Sequence, residues 1–135
     1  MMVNPADPTL SGALADATER ALAEAEIRLP PDVLAALQAA AAAERNEIAR
    51  QELETILENI ALAGERQVPI CQDTGVPVVY LTLPPDIGLS SDLFEGVREG
   101  VRRATASIPL RPNVVDPLTR ENTGDNTGVG MPAVH

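Results

Sequence analysis

The stretch Ile70-Cys71-Gln72-Asp73-Thr74-Gly75 is the junction between two differently patterned regions of this chain. Before it, a long Ala/Glu/Leu-rich region repeats its apolar residues three and four apart, the spacing of an amphipathic helix. After it, residues 76–83 are β-branched and nearly all apolar, which suits a strand buried on both faces for much of its length. The chain is therefore expected to be of mixed α/β class, a helical N-terminal half followed by strand–helix–loop–strand. Hydrophobic residues make up 44% of the sequence and aromatics only 1%, so Ala, Val, Leu and Ile must build the core.

Residues 1–10 read as a loose lead-in, with Pro5 and Pro8 opposing regular structure. Ser11 is a candidate N-cap for a helix to about Arg28, with Leu14, Ala17, Ala21 and Ala25 as its apolar stripe. Pro30 and Pro31 end that helix. A second runs from about Asp32 through the alanine block at 39–43 and on, with or without a kink, to Ala63. Its stripe is Ala49, Leu53, Ile56, Leu57 and Ile60, and Gly64 is placed to stop it. Beyond the strand, Pro84, Pro85 and Gly88 mark a loop. Ser90 or Ser91 then caps a third helix with Leu93, Val97, Val101 and Ala104 inward. Arg98, Arg102 and Arg103 flank that stripe as a solvated or carboxylate-paired face. Residues 107–118 are too proline-rich for helix, and the tract that follows contains Asn-Thr-Gly twice, at 122–124 and 126–128. Such a run suits successive turns at the surface, presenting backbone N–H groups, hydroxyls and amides. Residues 129–135 return toward strand character and stop at His135. Residues 1–64 form a helical layer and 65–135 a site-bearing α/β part.

A net charge of −10, with arginine as the only strong base, argues against nucleic acid and against anionic membrane surfaces as partners. The acidity fits solvated helix faces; adaptation to high salt and coding bias against lysine are the other readings. No apolar window is long enough for a transmembrane helix, and the N-terminus lacks the regions of a signal peptide. One cysteine forms no internal disulfide, which suits a reducing cytoplasm.

The residues able to carry chemistry are Cys71, Gln72, Asp73, Thr74, Arg111 and the Asn-Thr-Gly loop. Polar groups of four kinds at one junction are costly to bury, so they make either a turn or a site. A thiolate is a nucleophile or a soft metal ligand. With no histidine beside it, Cys71 is a weak case for either role on its own, and a buried structural cysteine is the bland alternative.

The string Pro69-Ile70-Cys71-Gln72-Asp73-Thr74-Gly75 resembles the signature of the iron–sulfur-dependent class I fumarate hydratases and the related tartrate dehydratase alpha subunits. Residues 110–120, with both Asn-Thr-Gly elements, resemble the second stretch of that family, in the two-subunit type especially. Leu29-Pro30-Pro31-Asp32-Val33-Leu34 fits as well. The resemblance covers most of the chain. It implies a 4Fe-4S cluster held by three cysteines, whose open iron acts as a Lewis acid in the reversible hydration of a dicarboxylate such as fumarate. It further implies Cys71 as one cluster ligand, Gln72 and Asp73 against substrate, and Asp73 as a catalytic acid/base participant. Arg111 would pair with a substrate carboxylate, and Thr123 and Gly124 would line the site. The implied partners are a dicarboxylate and a beta subunit or C-terminal domain, in a homo-oligomer or alpha/beta hetero-oligomer.

The chain departs from the pattern in lacking the two further cysteines. It is expected to be the N-terminal portion of a larger alpha-type catalytic domain, incomplete and inactive by itself, with an open sheet edge. A non-catalytic helical interaction module is the reading from another class.

Overall fold

The computed structural model describes residues 8–73, 75–88 and 90–135. They contain, in order, α1 (Pro8–Ile27), α2 (Pro31–Ala43), α3 (Glu47–Arg66), β1 (Val78–Val79), α4 (Ser91–Ser107) and β2 (Ala133–Val134). The mixed class is as expected. The chain divides into two compact units, the described part of Met1–Ala23 with Gln72–His135, and Glu24–Cys71. The helical half of the sequence is thus shared out, with most of α1 belonging to the unit that carries β1, α4 and β2.

In the Glu24–Cys71 unit the expected long second helix is two helices. Asn46 explains the break: its side-chain oxygen accepts from the Ile48 and Ala49 amides at 3.0 and 3.2 Å, an N-cap that starts α3 afresh. Glu44 supports it, one carboxylate oxygen accepting from the Arg45 and Asn46 amides. The α3 stripe packs as read at Ile60, which is buried, and at half-buried Ala49, Leu53 and Leu57, whereas Ile56 is exposed. Gly64 does not stop the helix. α3 runs on to Arg66 and ends at Gln67, whose left-handed φ of 54° closes it as a glycine would. Ile27, Ala41, Ile60 and Ala63 are the buried apolar residues of this unit. Asn59 donates to the Ile70 carbonyl at 2.8 Å and the Ile70 amide donates to the Glu26 carbonyl at 3.0 Å. The backbone immediately before Cys71 is therefore tied on both sides.

In the other unit the lead-in is shorter than expected. Helix α1 already starts at Pro8, where a missing N–H costs nothing in the first turn, and Ser11 lies inside it rather than capping it. The buried face of α1 is also rotated from the expected stripe: Ala15 and Thr18 are buried, while Ala17, Ala21 and Ala25 are exposed. Alanine occurs on every side of α1, so hydrophobic spacing does not choose a face; the partner does. That partner is α4, which brings Gly96 and Gly100 against Ser11, Leu14, Ala15 and Thr18. A Cβ at Gly100 would lie 2.6 Å from the Ala15 carbonyl oxygen. Leu93, Val97, Val101 and Ala104 are buried as read and form the centre of the core.

β1 and β2 pair in parallel, Val78 opposite Ala133 and Val79 opposite Val134, with α4 in the crossover between them. Leu81 donates to the His135 carbonyl at 2.8 Å, prolonging the pairing. The run at 76–83 is not buried on both faces. Val76, Val78 and Tyr80 are exposed and alternate with half-buried Pro77, Val79 and Leu81, because only one face of the strand meets the rest of the unit.

Candidate functional site

Cys71, Gln72 and Asp73 are exposed at the end of the tied segment just described. Cys71 is not the buried structural cysteine of the bland alternative. Thr74 lies outside the described residues, and Gly75 adopts a left-handed φ of 69° that a side chain would resist. Cys71, Gln72 and Asp73 thus display their side chains at the surface of this junction.

The second stretch is built by asparagines. Residues 109–117 contain three prolines, which remove donors and prevent a helix or sheet ladder, so the backbone needs other partners. Asn126 is 3% exposed, and its amide oxygen accepts from the Asn113 amide at 2.7 Å. Its amide nitrogen donates to the Arg111 carbonyl at 3.1 Å and to the Thr105 hydroxyl at 3.3 Å on α4. Asn122 donates to the Pro112 carbonyl at 2.7 Å and accepts from the Gly124 amide. The Asn113 side chain donates to the Gly75 carbonyl at 3.0 Å, which brings the Arg111 loop to the end of the first stretch.

The repeated Asn-Thr-Gly tract is consequently not wholly a surface loop. Asn126 and Thr127 are buried, and the Asn126 amide satisfies donors and acceptors together there. Asp125 organises the outer side: one carboxylate oxygen accepts from the Thr127 amide at 3.0 Å and lies 2.8 Å from its hydroxyl. The Thr123 hydroxyl lies 2.7 Å from that same oxygen and 2.7 Å from the Thr127 carbonyl. Burial pushes the Asp125 carboxyl up, but these hydrogen bonds and nearby Arg102 outweigh it and hold it below the usual carboxylate range. Asp116 is likewise lowered, its carboxylate accepting from the Thr119 and Leu118 amides. Thr123, Gly124 and Arg111 themselves are exposed.

The α4 arginines pair with carboxylates. Arg98 meets Glu95 at 2.7 Å, Arg102 meets Glu99 and Asp125 at 3.6 and 3.5 Å, and Arg103 meets Asp16 and Glu99 at 2.9 and 3.0 Å. The asparagine scaffold holds the backbone of Arg111 through its carbonyl. His135 stacks on Tyr80 with ring centroids 5.3 Å apart and, with Phe94, Arg98 and Pro132, lines a concavity of about 320 Å³. The sequence alone does not mark Asn59, Asn113 and Asn126 as structural; the doubled Asn-Thr-Gly and the proline density beside it are its only signals for the last two.

Among the described residues no group of three or more His, Cys, Asp or Glu side chains is placed to hold a metal ion. Cys71 suits one thiolate ligand of a cluster, but these donors alone do not complete a set.

Comparison with known proteins agrees with the two stretches. The sequence is 45% identical over 124 residues to a Methanocaldococcus jannaschii protein named, provisionally, as an L(+)-tartrate dehydratase alpha subunit, covering 90% of this chain and 44% of that one. It is 41% identical over 115 residues to a provisionally named class I fumarate hydratase of Geobacillus stearothermophilus, covering 84% of this chain and 22% of the relative. It is 33% identical over 107 residues to the L(+)-tartrate dehydratase alpha subunit of Escherichia coli K12, covering 79% and 35%. The chain thus spans less than half the length of each of these relatives. The family described as fumarate hydratase (Fumerase) matches residues 15–135, a span that contains both stretches and the scaffold joining them, and the chain belongs to that family.

Proposed function

We propose that this chain is the alpha-type catalytic part of a hydro-lyase that reversibly hydrates fumarate to L-malate and is inactive without further polypeptide. The observation that carries the reading is the family match across both stretches, together with the Asn113–Gly75 link that joins them. In this reading Arg111 pairs with one substrate carboxylate through its planar fork of donors. Gln72 and Asp73 face the substrate, Asp73 exchanging a proton at the reacting centre, and Thr123 and Gly124 line the same side. Cys71 supplies one of the three thiolates of a 4Fe-4S cluster, the other two coming from another segment of polypeptide. When bound, that cluster supplies Lewis acidity toward the substrate's oxygens. The partner is a beta subunit or C-terminal domain, a reading supported by the alpha-subunit names of two relatives. A reducing cytoplasm suits both the single cysteine and the cluster.

L-tartrate dehydration is the second reading, favoured by the 45% identity to the archaeal relative. The complete enzyme, with its partner, is reconstituted anaerobically with iron and sulfide and assayed with fumarate and with L-tartrate. The expected result is a brown, oxygen-sensitive protein that turns over one of them, with both iron and turnover lost in Cys71→Ser. A complete protein that binds no iron, or a Cys71→Ser variant with full iron content and turnover, overturns the reading in favour of a non-catalytic module.

A further inference from the structure

We propose that Asn113 and Asn126 are positioning residues that lock the Arg111 loop in register with the Gly75 end of the first stretch. The inference rests on the dicarboxylate reading above for its catalytic consequence, but not for the lock itself. Asparagine side chains hold the backbone of residues 111–114 at several points. The Arg111 carbonyl is taken by Asn126, the Pro112 carbonyl by Asn122, and the Asn113 amide by Asn126 again. The Val114 amide lies 3.4 Å from the same Asn126 oxygen. Asn126 is 3% exposed and also donates to Thr105 on α4, so the loop takes its position from a helix packed in the core. Asn113 passes that position on through its 3.0 Å bond to the Gly75 carbonyl.

The chemistry selects asparagine at both places. At 126 the side chain must accept from amides and donate to a carbonyl at once, on a backbone with φ of 60° that asparagine tolerates. An aspartate there would set a carboxylate against the Arg111 carbonyl. At 113 a donor is needed because Gly75 offers a carbonyl. The guanidinium of Arg111 therefore starts from a fixed backbone point relative to residues that follow Cys71, which is what a two-point dicarboxylate site requires.

The test uses Asn113→Ala in the complete enzyme, which deletes the link and leaves the bonds to the Asn113 backbone amide intact. With fumarate and L-tartrate as probes, KM is expected to rise about tenfold with kcat changed less than about twofold. In an Arg111→Ala background the same change should add nothing, because the residue acts through Arg111. Equal fold losses in both backgrounds would overturn the positioning role. Hydrogen exchange on the same proteins decides the lock whether or not either substrate is turned over. Exchange should quicken at residues 75–76 in Asn113→Ala, and at residues 113–114 in Asn126→Ala. Unchanged exchange at 75–76 in Asn113→Ala refutes the lock, whereas a wild type that turns over neither probe refutes only the hydro-lyase reading.

Discussion

Replacing Gly100 with alanine sets two well-characterised effects against each other. In a helix interior alanine is favoured over glycine by about 1 kcal/mol, so an open site would be stabilised. At Gly100 the added Cβ would lie 2.5 Å from Thr18 Cβ, 2.6 Å from the Ala15 carbonyl oxygen and 3.0 Å from Thr18 Cγ2. Ordinary carbon contacts begin near about 3.5 Å, so α1 and α4 would have to separate locally by about 1 Å. One of the obstacles is backbone, which no rotamer change can relieve. Overpacking of this kind costs typically about 1–3 kcal/mol, and two simultaneous contacts below 3 Å put this site at the upper end. Net destabilisation of about 1–2 kcal/mol is expected, a fall in Tm of roughly 3–8 °C for a domain of this size. Gly64 in α3 is the internal control, since nothing lies within 4 Å of the Cβ it would gain. Gly64→Ala should stabilise by up to about 1 kcal/mol. Thermal unfolding followed by circular dichroism of both variants reads the two signs directly. If Gly100→Ala stabilises as much as Gly64→Ala, the close approach of α1 and α4 is wrong.

Three further outcomes are expected. Asn46→Ala should cost about 1 kcal/mol by removing the α3 cap, seen as a lower denaturant midpoint at unchanged m; an unaltered midpoint would mean the cap contributes nothing. Asp125 has a lowered carboxyl pKa, so the stability it contributes is fully present above about pH 4 and is lost as pH falls through its lowered folded value. Asp125→Asn should remove that part of the acid dependence, and an acid-unfolding curve identical to wild type would contradict it. Asn126→Asp should slacken the Arg111 loop, raising hydrogen exchange at residues 113–114 while α4 keeps its protection; loss of protection throughout α4 would show a global role instead.

The inward face of α4 was readable because Leu93, Val97 and Val101 are large apolar residues among charged ones, so only one face could be buried. The arginine–carboxylate pairing on its flank followed from the same pattern. The stripe of α1 was not readable, because alanines surround that helix and burial of a methyl group differs little between faces. The sequence leaves open whether the second helix kinks on its way to Ala63; one capping side chain at Asn46 makes it a full break, outweighing the helix propensity around it. The Cys71–Gly75 stretch was recognisable as a string, yet its exposure and its tie to Asn113 were not. Nothing local links residues 38 apart.

By itself the sequence determined the mixed class, the interior of α4 and membership of a family, since composition, period and motif are properties of neighbouring residues. Only the tertiary structure decided which face of α1 is covered, how far β1 extends and which asparagines hold the Arg111 loop. Those outcomes depend on partners distant in sequence: two glycines that admit a backbone, a parallel neighbouring strand, and a buried amide at Asn126 whose donors and acceptors must both be satisfied.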